Sequence, residues 1–266
     1  MRVTLRFLVV LVLAGASFAQ GPWVKKDWKQ WSKDDCKKIL EDSPWAKRWI
    51  QSNEKMANFA TRTSGTEGVG SESELSVYYL VQFRSALPIR EAVVRQTLIA
   101  NRYDQLESPQ QDSMRKQTEG FLNRTYDDVI VVHVIYGSNV QEYNRALATF
   151  WQGHYPEGTV PQEAFLNGPR GQKVAPIKLI SPKGGAQEFE LIFPRNIEGK
   201  PLLEPGDRTI GVEFLAPPIG TVDQQGRVIV GTVDAQGRSI TSSTDNIRVF
   251  TEFKADKMMV NGQIIY

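Results

Sequence analysis

The stretch "YDDVIVVHVIYG", residues 126 to 137, gives the strongest prediction of a β-strand in the chain, and the predicted fold is built around it. Its β-branched residues favour an extended backbone, and Gly137 closes the run. His133 lies within the run and shares one strand face with Val131 and Ile135, because side chains alternate between the two faces of a strand. A histidine in that setting is usually hydrogen-bonded inside a sheet, so we expect a structural role for it.

The segments around this run alternate between strand and helix patterns. Residues 75 to 84 have the composition of a strand, and residues 87 to 103 carry apolar side chains at helical spacing. A second helix is predicted over 109 to 122 and a third over 139 to 153, again with an apolar face. Strand, helices, strand and helix in this order predict a sheet with helices packed on it over residues 74 to 156.

The chain changes character after about residue 170, where strand patterns replace helical ones. These patterns occupy residues 173 to 180, 187 to 193, 208 to 215 and 247 to 254. Asn261-Gly262 lies between apolar runs and predicts a two-residue hairpin, because both residues tolerate positive φ. We therefore expect an antiparallel β region over residues 170 to 266, for which a β-sandwich is one arrangement.

A short internal repeat lies inside this β region. "TVDQQGRVI" at 221 to 229 returns as "TVDAQGRSI" at 232 to 240. Two copies are too few for a solenoid, and the Asp-x-x-Gly spacing is typical of a tight turn. A calcium loop would need more oxygen ligands than these copies offer. We interpret the repeat as two consecutive hairpins.

Residues 1 to 19, "MRVTLRFLVVLVLAGASFA", have the three parts of a secretory signal peptide. Arg2 and Arg6 give a positive start, and small residues lead to a cleavage site after Ala19. The apolar run between them is too short to span a bilayer. We expect a secreted or periplasmic mature protein without a transmembrane segment, and an uncleaved N-terminal anchor is the alternative.

The charge of the chain argues against one class of partner. The chain has 32 lysines and arginines against 30 aspartates and glutamates, and loss of the signal peptide would leave 30 of each sign. Nucleic-acid-binding domains usually carry a basic excess. A nucleic-acid partner is therefore not expected.

Five of the six tryptophans lie between residues 22 and 49. The small, polar stretch "TSGTEGVGSES" at 63 to 73 has the composition of a flexible linker. It carries glycines but no Gly-Lys-Ser/Thr, so a phosphate-binding loop is not indicated. Residues 20 to 62 are therefore expected to form a Trp-rich arm ahead of the linker.

Local signals predict that this arm is helical. Ser32, with Asp35 three residues later, has the spacing of a capping box, in which both side chains satisfy free backbone N–H groups. Pro44 suits the first turn of a second short helix. Trp45 and Trp49 follow four residues apart, which places them on one face of that helix.

Two interpretations compete for the tryptophans. Burial of each indole removes about 150 to 250 Å² from water, enough to fasten a short arm to the rest of the fold. Exposed indoles would instead stack on sugar rings or peptide side chains, helped by the local basic excess of the arm. We favour packing and keep as binding candidates Trp23, Trp28, Trp31, Trp151, His154 and Tyr155.

Sequence motifs identify no catalytic, cofactor or metal site. The two histidines, His133 and His154, lack metal-type spacing, and no Gly-x-Ser-x-Gly elbow occurs. Glu188 and Glu190 alternate along one predicted strand, which is typical of a solvated strand edge and not of a glycosidase pair. Cys36, the one cysteine, is expected to be a small buried hydrophobe, with a disulfide to another molecule as the alternative.

These observations predict a mixed α+β fold with a Trp-rich helical arm, a helix-covered sheet and a β-rich C-terminal half. The predicted function is that of an exported, non-enzymatic interaction or structural protein of the cell envelope or exterior. Its partner would be an unidentified protein or glycan, and no cofactor is expected. A carbohydrate- or peptide-binding protein is one alternative. A hydrolase is another, and a pocket that joins a histidine to two acids would favour it.

Overall fold

The structure is a computed structural model that describes residues 21–53, 75–154, 160–217 and 247–266, together with the pairs 221–222, 228–229, 232–233 and 239–240. The predicted signal peptide and the predicted linker at 63 to 73 lie outside the described residues, as does Tyr155.

Five α-helices and seventeen strands can be assigned in the described residues. The helices are α1 Pro22–Lys25, α2 Lys33–Glu41, α3 Leu87–Ala100, α4 Ser108–Leu122 and α5 Gln141–His154, with 3₁₀ turns at Trp28–Gln30, Tyr103–Gln105 and Ala255–Lys257. The strands are β1 Ala46–Asn53, β2 Leu75–Phe83, β3 Val129–Ser138, β4 Phe165–Asn167, β5 Lys173–Val174, β6 Lys178–Ile180, β7 Glu188–Pro194, β8 Asn196–Ile197, β9 Lys200–Pro201, β10 Thr209–Ala216, β11 Thr221–Val222, β12 Val228–Ile229, β13 Thr232–Val233, β14 Ser239–Ile240, β15 Ile247–Lys254, β16 Met259–Val260 and β17 Gln263–Ile264.

Two antiparallel sheets form the centre of the protein. The first has the strand order β1-β2-β3-β7-β6, and the second has the order β15-β10-β4-β5. β3, which contains most of the β-branched run at 126 to 137, is the middle strand of the first sheet. β6 and β7 follow residue 170 and still pair into this sheet, so it takes strands from both predicted regions.

One face of the first sheet packs against the second sheet and α5 through aromatic rings. Trp151 of α5 lies 4.8 Å from Phe189 and 6.1 Å from Tyr79, measured between ring centroids. Phe214 of β10 approaches Tyr79 edge-on at 5.5 Å. These rings come from both sheets and a helix, so they unite the α+β region and the β region in one core.

Helices cover part of the opposite face of the first sheet. Gln82 of β2 donates its side-chain amide to the Leu40 carbonyl of α2 at 2.6 Å. α2 begins with the predicted capping box, in which Ser32 accepts from Asp35 N and Asp35 accepts from Ser32 N. Its apolar face is buried, including Cys36, as the sequence predicted.

The prediction of a helix beginning at Pro44 is wrong. Residues Ala46–Asn53 form β1, which pairs antiparallel with β2 over its full length. Trp45 and Trp49 are four residues apart, and an even separation places two side chains on one face of a strand as well as on one face of a helix. The segment is a strand and not a helix because β2 supplies hydrogen-bond partners for its backbone.

The other helices and strands that the sequence predicted are present, with one exception, whereas β4, β8 and β9 were not predicted. The stretch 173 to 180 is two strands, β5 and β6, which belong to different sheets; Pro176 lies between them, and proline cannot donate to a sheet ladder. Asn261 and Gly262 have φ of 50° and 78° and connect β16 to β17, so the predicted hairpin is confirmed. The repeat forms the hairpins β11–β12 and β13–β14, whose turn residues lie outside the described residues.

The predicted mixed α+β class and the β-rich C-terminal half are confirmed, and the sandwich stays a prediction. Across the part of the chain that the structure describes, no helix combines the length and the apolar character needed to cross a lipid bilayer.

Candidate functional site

The tryptophans of the N-terminal segment pack on the core. Trp31 and Trp45 are completely buried, and Trp23, Trp28 and Trp49 are partly buried against the same core. The packing interpretation is therefore confirmed for Trp31 and Trp45. Their rings have no surface on which a sugar or a peptide could stack.

Trp23 is partly buried and borders open space. It lines a cavity of about 330 Å³ between α1 and the β16–β17 hairpin, together with Lys25, Asp27 and Asn261. Its ring meets Trp45 edge-on, with the centroids 5.4 Å apart. Trp23 thus combines a packing contact with access to a small cavity.

In the second group of binding candidates, Trp151 is the one residue whose side chain the structure describes. Trp151 is buried at the centre of the aromatic core and is inaccessible to a ligand. His154 is the last residue of α5, and the structure describes its backbone only. Tyr155 lies outside the described residues, so a joint site of these three residues stays a prediction.

The sequence did not predict a cavity of about 310 Å³ beside His133, where β7 meets the segment after β6. Two carboxylates line this cavity with the imidazole, namely Glu188 and Glu190. Ser181 and Lys183 line it as well. We call it the His133 cavity.

The pairing of the strands brings these groups together. His133 of β3 is the direct cross-strand partner of Gln82 on β2 and of Glu190 on β7. Directly opposed residues in an antiparallel pair point to the same side of the sheet, and Glu188 points the same way as Glu190 because it is two residues away. The imidazole and both carboxylates therefore lie on one face.

His133 is only 1% exposed, and its Nε2 lies 3.1 Å from Oε2 of Glu188, whose side chain is 51% exposed. The hydrogen bond with His133 lowers the pKa of Glu188 below its ordinary value, while partial burial acts in the opposite direction. An ionised carboxylate can only accept hydrogen bonds, so Nε2 carries the shared proton. Glu188 is thus an ionised, half-exposed anion held in place by a buried imidazole.

The second carboxylate of the cavity is already paired. Glu190 accepts a hydrogen bond from Arg84 at 3.0 Å, and both side chains are largely buried. The Arg84 guanidinium also lies over the Phe121 ring of α4 at 5.7 Å. Glu190 is thus the paired carboxylate of the cavity, and Glu188 is the more exposed of the two.

The geometry limits what His133 can do chemically. With Nε2 bound to Glu188, a general base would have to act through Nδ1. Nδ1 is buried and finds no hydrogen-bond partner among the described residues. A substrate in the cavity cannot reach a nitrogen without exposed surface, so the arrangement suits binding by Glu188 better than proton transfer by His133.

Metal binding is not supported by the described residues, because no cluster of three or more histidine, cysteine, aspartate or glutamate side chains there could hold an ion. The sequence had named His133, Glu188 and Glu190 separately, but their convergence depends on the register of β3 against β7. Alternating acids on a strand beside a histidine-bearing strand were the signal available, and that signal does not specify which strands pair.

The same face of the first sheet continues beyond the helices as an open surface. Ile50 of β1 is 58% exposed and lies directly opposite Tyr78, which in turn lies opposite Gly137. A Cβ at Gly137 would come within 2.7 Å of the Tyr78 hydroxyl, so the glycine makes room for that ring. The Arg48 guanidinium lies 4.8 Å from the centroid of the Tyr78 ring.

Comparison of the chain with models of protein families, with curated proteins and with solved structures finds no match in any of the three.

Proposed function

We propose that this chain is an exported, non-enzymatic protein that binds a partner polypeptide of the cell envelope or exterior. The observation that carries the proposal is the ionised, half-exposed Glu188 that the buried His133 holds at the mouth of a cavity of about 310 Å³. A fixed anion of this kind offers a preorganised partner for a lysine or arginine side chain.

The surroundings of Glu188 suit a polypeptide. Ile180, at the rim, is 37% exposed, and Ile177, the residue before β6, is 56% exposed. Lys183 adds a positive group to the rim. Apolar side chains flanked by both signs of charge are typical of a protein-binding surface, in which apolar contacts supply affinity and charges supply orientation.

Export is proposed from the charge and apolar pattern of residues 1 to 19. The observation that tests it is the mass of the protein recovered from the native exterior or periplasmic fraction. A chain that begins at Gln20 supports cleavage after Ala19, and a chain that retains the signal sequence would favour the uncleaved anchor.

Cross-linking tests the binding surface. A photo-reactive phenylalanine analogue at position 180 should give a discrete adduct when the labelled chain is mixed with native envelope or exterior fractions. The matched control places the analogue at position 250, because Phe250 is 45% exposed on the other sheet. Glu188→Gln should reduce the adduct at position 180, whereas Glu119→Gln on the exposed side of α4 should not. Equal adducts from both positions would contradict the proposal.

A hydrolase is the second candidate, because the His133 cavity brings an imidazole, two carboxylates and the Ser181 hydroxyl to one place. Its test is turnover of ester, glycoside and peptide substrates by the mature chain. Turnover that disappears in both His133→Gln and Ser181→Ala would favour the hydrolase. If the parent chain shows no more turnover than these two variants, the result contradicts a hydrolase site in the cavity and supports the binding proposal.

A further inference from the structure

The outer edge of β1 carries backbone groups that β2 does not use. Phe83 N donates to Trp45 O at 2.9 Å, so Trp45 belongs to a hydrogen-bonded pair and the alternate residues point away from β2. Ala46 follows this rule, because its N–H and C=O both bond to Ser43. Arg48, Ile50 and Ser52 therefore direct their N–H and C=O groups outward.

These three residues are exposed, and among the described residues none of their outward backbone groups has a partner. Ile50 is the most exposed of the large apolar side chains described. An eight-residue edge strand with an exposed isoleucine at its centre is a template for pairing with another strand.

The other edges of the two sheets are protected in ways that β1 is not. β6 has three residues and lies between Pro176 and Pro182, and β5 has two residues. β15 is as long as β1, and its charges at Arg248, Glu252 and Lys254 are spread along it, whereas the charges of β1, Lys47 and Arg48, leave residues 49–53 uncharged. Short length, flanking proline and edge charge all discourage pairing between strands.

We propose that β1 pairs antiparallel with β1 of a second copy of this chain, in the register that places Ile50 opposite Ile50. The two sheets then join into one continuous sheet of ten strands across a two-fold axis. Six backbone hydrogen bonds form, from the outward groups of Arg48, Ile50 and Ser52 on each strand.

Charge and apolar contact together favour this register. With Ile50 opposite Ile50, Arg48 lies opposite Ser52 of the second copy, and Trp49 lies opposite Gln51. A register centred on Arg48 would instead place two guanidinium groups in direct opposition, which destabilises a sheet pair. The chosen register also continues the Ile50–Tyr78 row, so four apolar or aromatic side chains meet across the axis.

Self-association of the mature chain tests the proposal. Sedimentation or light scattering over a wide concentration range should show a monomer–dimer equilibrium. Ile50→Asp places two carboxylates opposite each other and should raise the dimer dissociation constant about tenfold or more. Phe250→Asp is the control, because Phe250 is 45% exposed on β15, an edge strand of the second sheet. A monomer at all concentrations, or a dimer that Ile50→Asp leaves intact, overturns the proposal.

Cross-linking tests the register. Residues in a hydrogen-bonded antiparallel pair have Cα atoms about 5.5 Å apart, a separation that a disulfide can bridge. Arg48→Cys and Ser52→Cys chains should therefore form a mixed dimer under mild oxidation, and neither should cross-link to itself. Efficient self-linking of Arg48→Cys, or failure of the mixture, overturns the proposed register. Circular dichroism of each variant confirms that it is folded.

Discussion

Trp45 donates its indole N–H to the backbone carbonyl of Ile265, 220 residues further along the chain, at 2.6 Å. Trp23 packs edge-on against the same indole, and Tyr266 next to the acceptor is itself buried, with its hydroxyl at 3.3 Å from the Leu203 carbonyl. The N-terminal Trp-rich segment and the last hairpin thus stabilise each other. The indoles of this segment pack on the core, so the segment belongs to the folded body of the protein.

Replacement of Trp45 by phenylalanine should lower the free energy of unfolding by about 2 to 3 kcal/mol. The buried side chain loses volume, and the part-buried Ile265 carbonyl loses its side-chain donor. Urea unfolding followed by circular dichroism measures the change. Trp28→Phe is the control, because Trp28 is only partly buried, and it should cost less than half as much. Equal losses would mean that the contact with Ile265 is not a major source of stability.

Replacement of Arg90 should destabilise the end of α4. Arg90 of α3 is buried and donates to the carbonyls of Phe121, Leu122 and Arg124, where the last turn of α4 has no intrahelical donors. Arg90→Lys keeps the charge but cannot fork to several carbonyls, so we expect a loss of about 2 kcal/mol or more.

Arg115→Lys is the matched control for Arg90, since Arg115 lies on the exposed side of α4 and should change the free energy of unfolding by less than about 0.5 kcal/mol. Hydrogen exchange of the amides near Leu122 is the more local measurement. Unchanged protection of these amides in Arg90→Lys would contradict a capping role.

The single thiol should be inert in the folded protein. Cys36 has no exposed surface, and burial raises the pKa of its thiol to about 11, although Arg95 lowers it slightly. The reactive thiolate is therefore scarce near neutral pH. A thiol reagent should modify Cys36 only when denaturant is added, at the rate of unfolding. Rapid modification of the native chain would contradict this prediction and favour the alternative, in which Cys36 forms a disulfide with another molecule.

The sequence predicted the local helices, strands and turns better than it predicted which distant residues meet in the fold. The helices α3, α4 and α5, the capping box at Ser32 and the Asn261-Gly262 hairpin follow from side-chain period and turn chemistry, which are local properties. Trp45 and Trp49 show where this fails, because their spacing fits both a helix face and a strand face. The decision came from β2, which begins more than twenty residues after Trp49.

The candidate site depended on register, which no local pattern encodes. His133 and Glu188 are 55 residues apart and meet because β3 pairs with β7 in one particular alignment. Taken singly, each residue was interpreted as structural: His133 as a hydrogen-bonded histidine of a sheet and Glu188 as an acid on a solvated strand edge. The cap that Arg90 provides for α4 was unpredictable for the same reason, since it joins two helices through a side chain and backbone carbonyls.

Glu91 should make stability depend on pH. Burial, and to a smaller extent the nearby Asp27, raise the pKa of this α3 carboxyl to about 7, although Arg90 acts against both. In the unfolded chain the carboxyl titrates near its ordinary value of 4.5. Between these two values the folded state binds more protons than the unfolded state, so the contribution of Glu91 to stability falls as pH rises and is constant above about pH 7.

Glu91→Gln removes this ionisation and should therefore be the more stable protein above about pH 7, by on the order of 2 kcal/mol, while matching the parent chain below pH 4.5. Urea unfolding across this range measures the difference between the two chains, which cancels the titration of all other groups. Glu119→Gln is the control, because Glu119 is exposed on α4 and should give a difference close to zero at every pH. A difference between Glu91→Gln and the parent that stays constant with pH would show that Glu91 has the same pKa in the folded and unfolded chains, which would contradict the prediction.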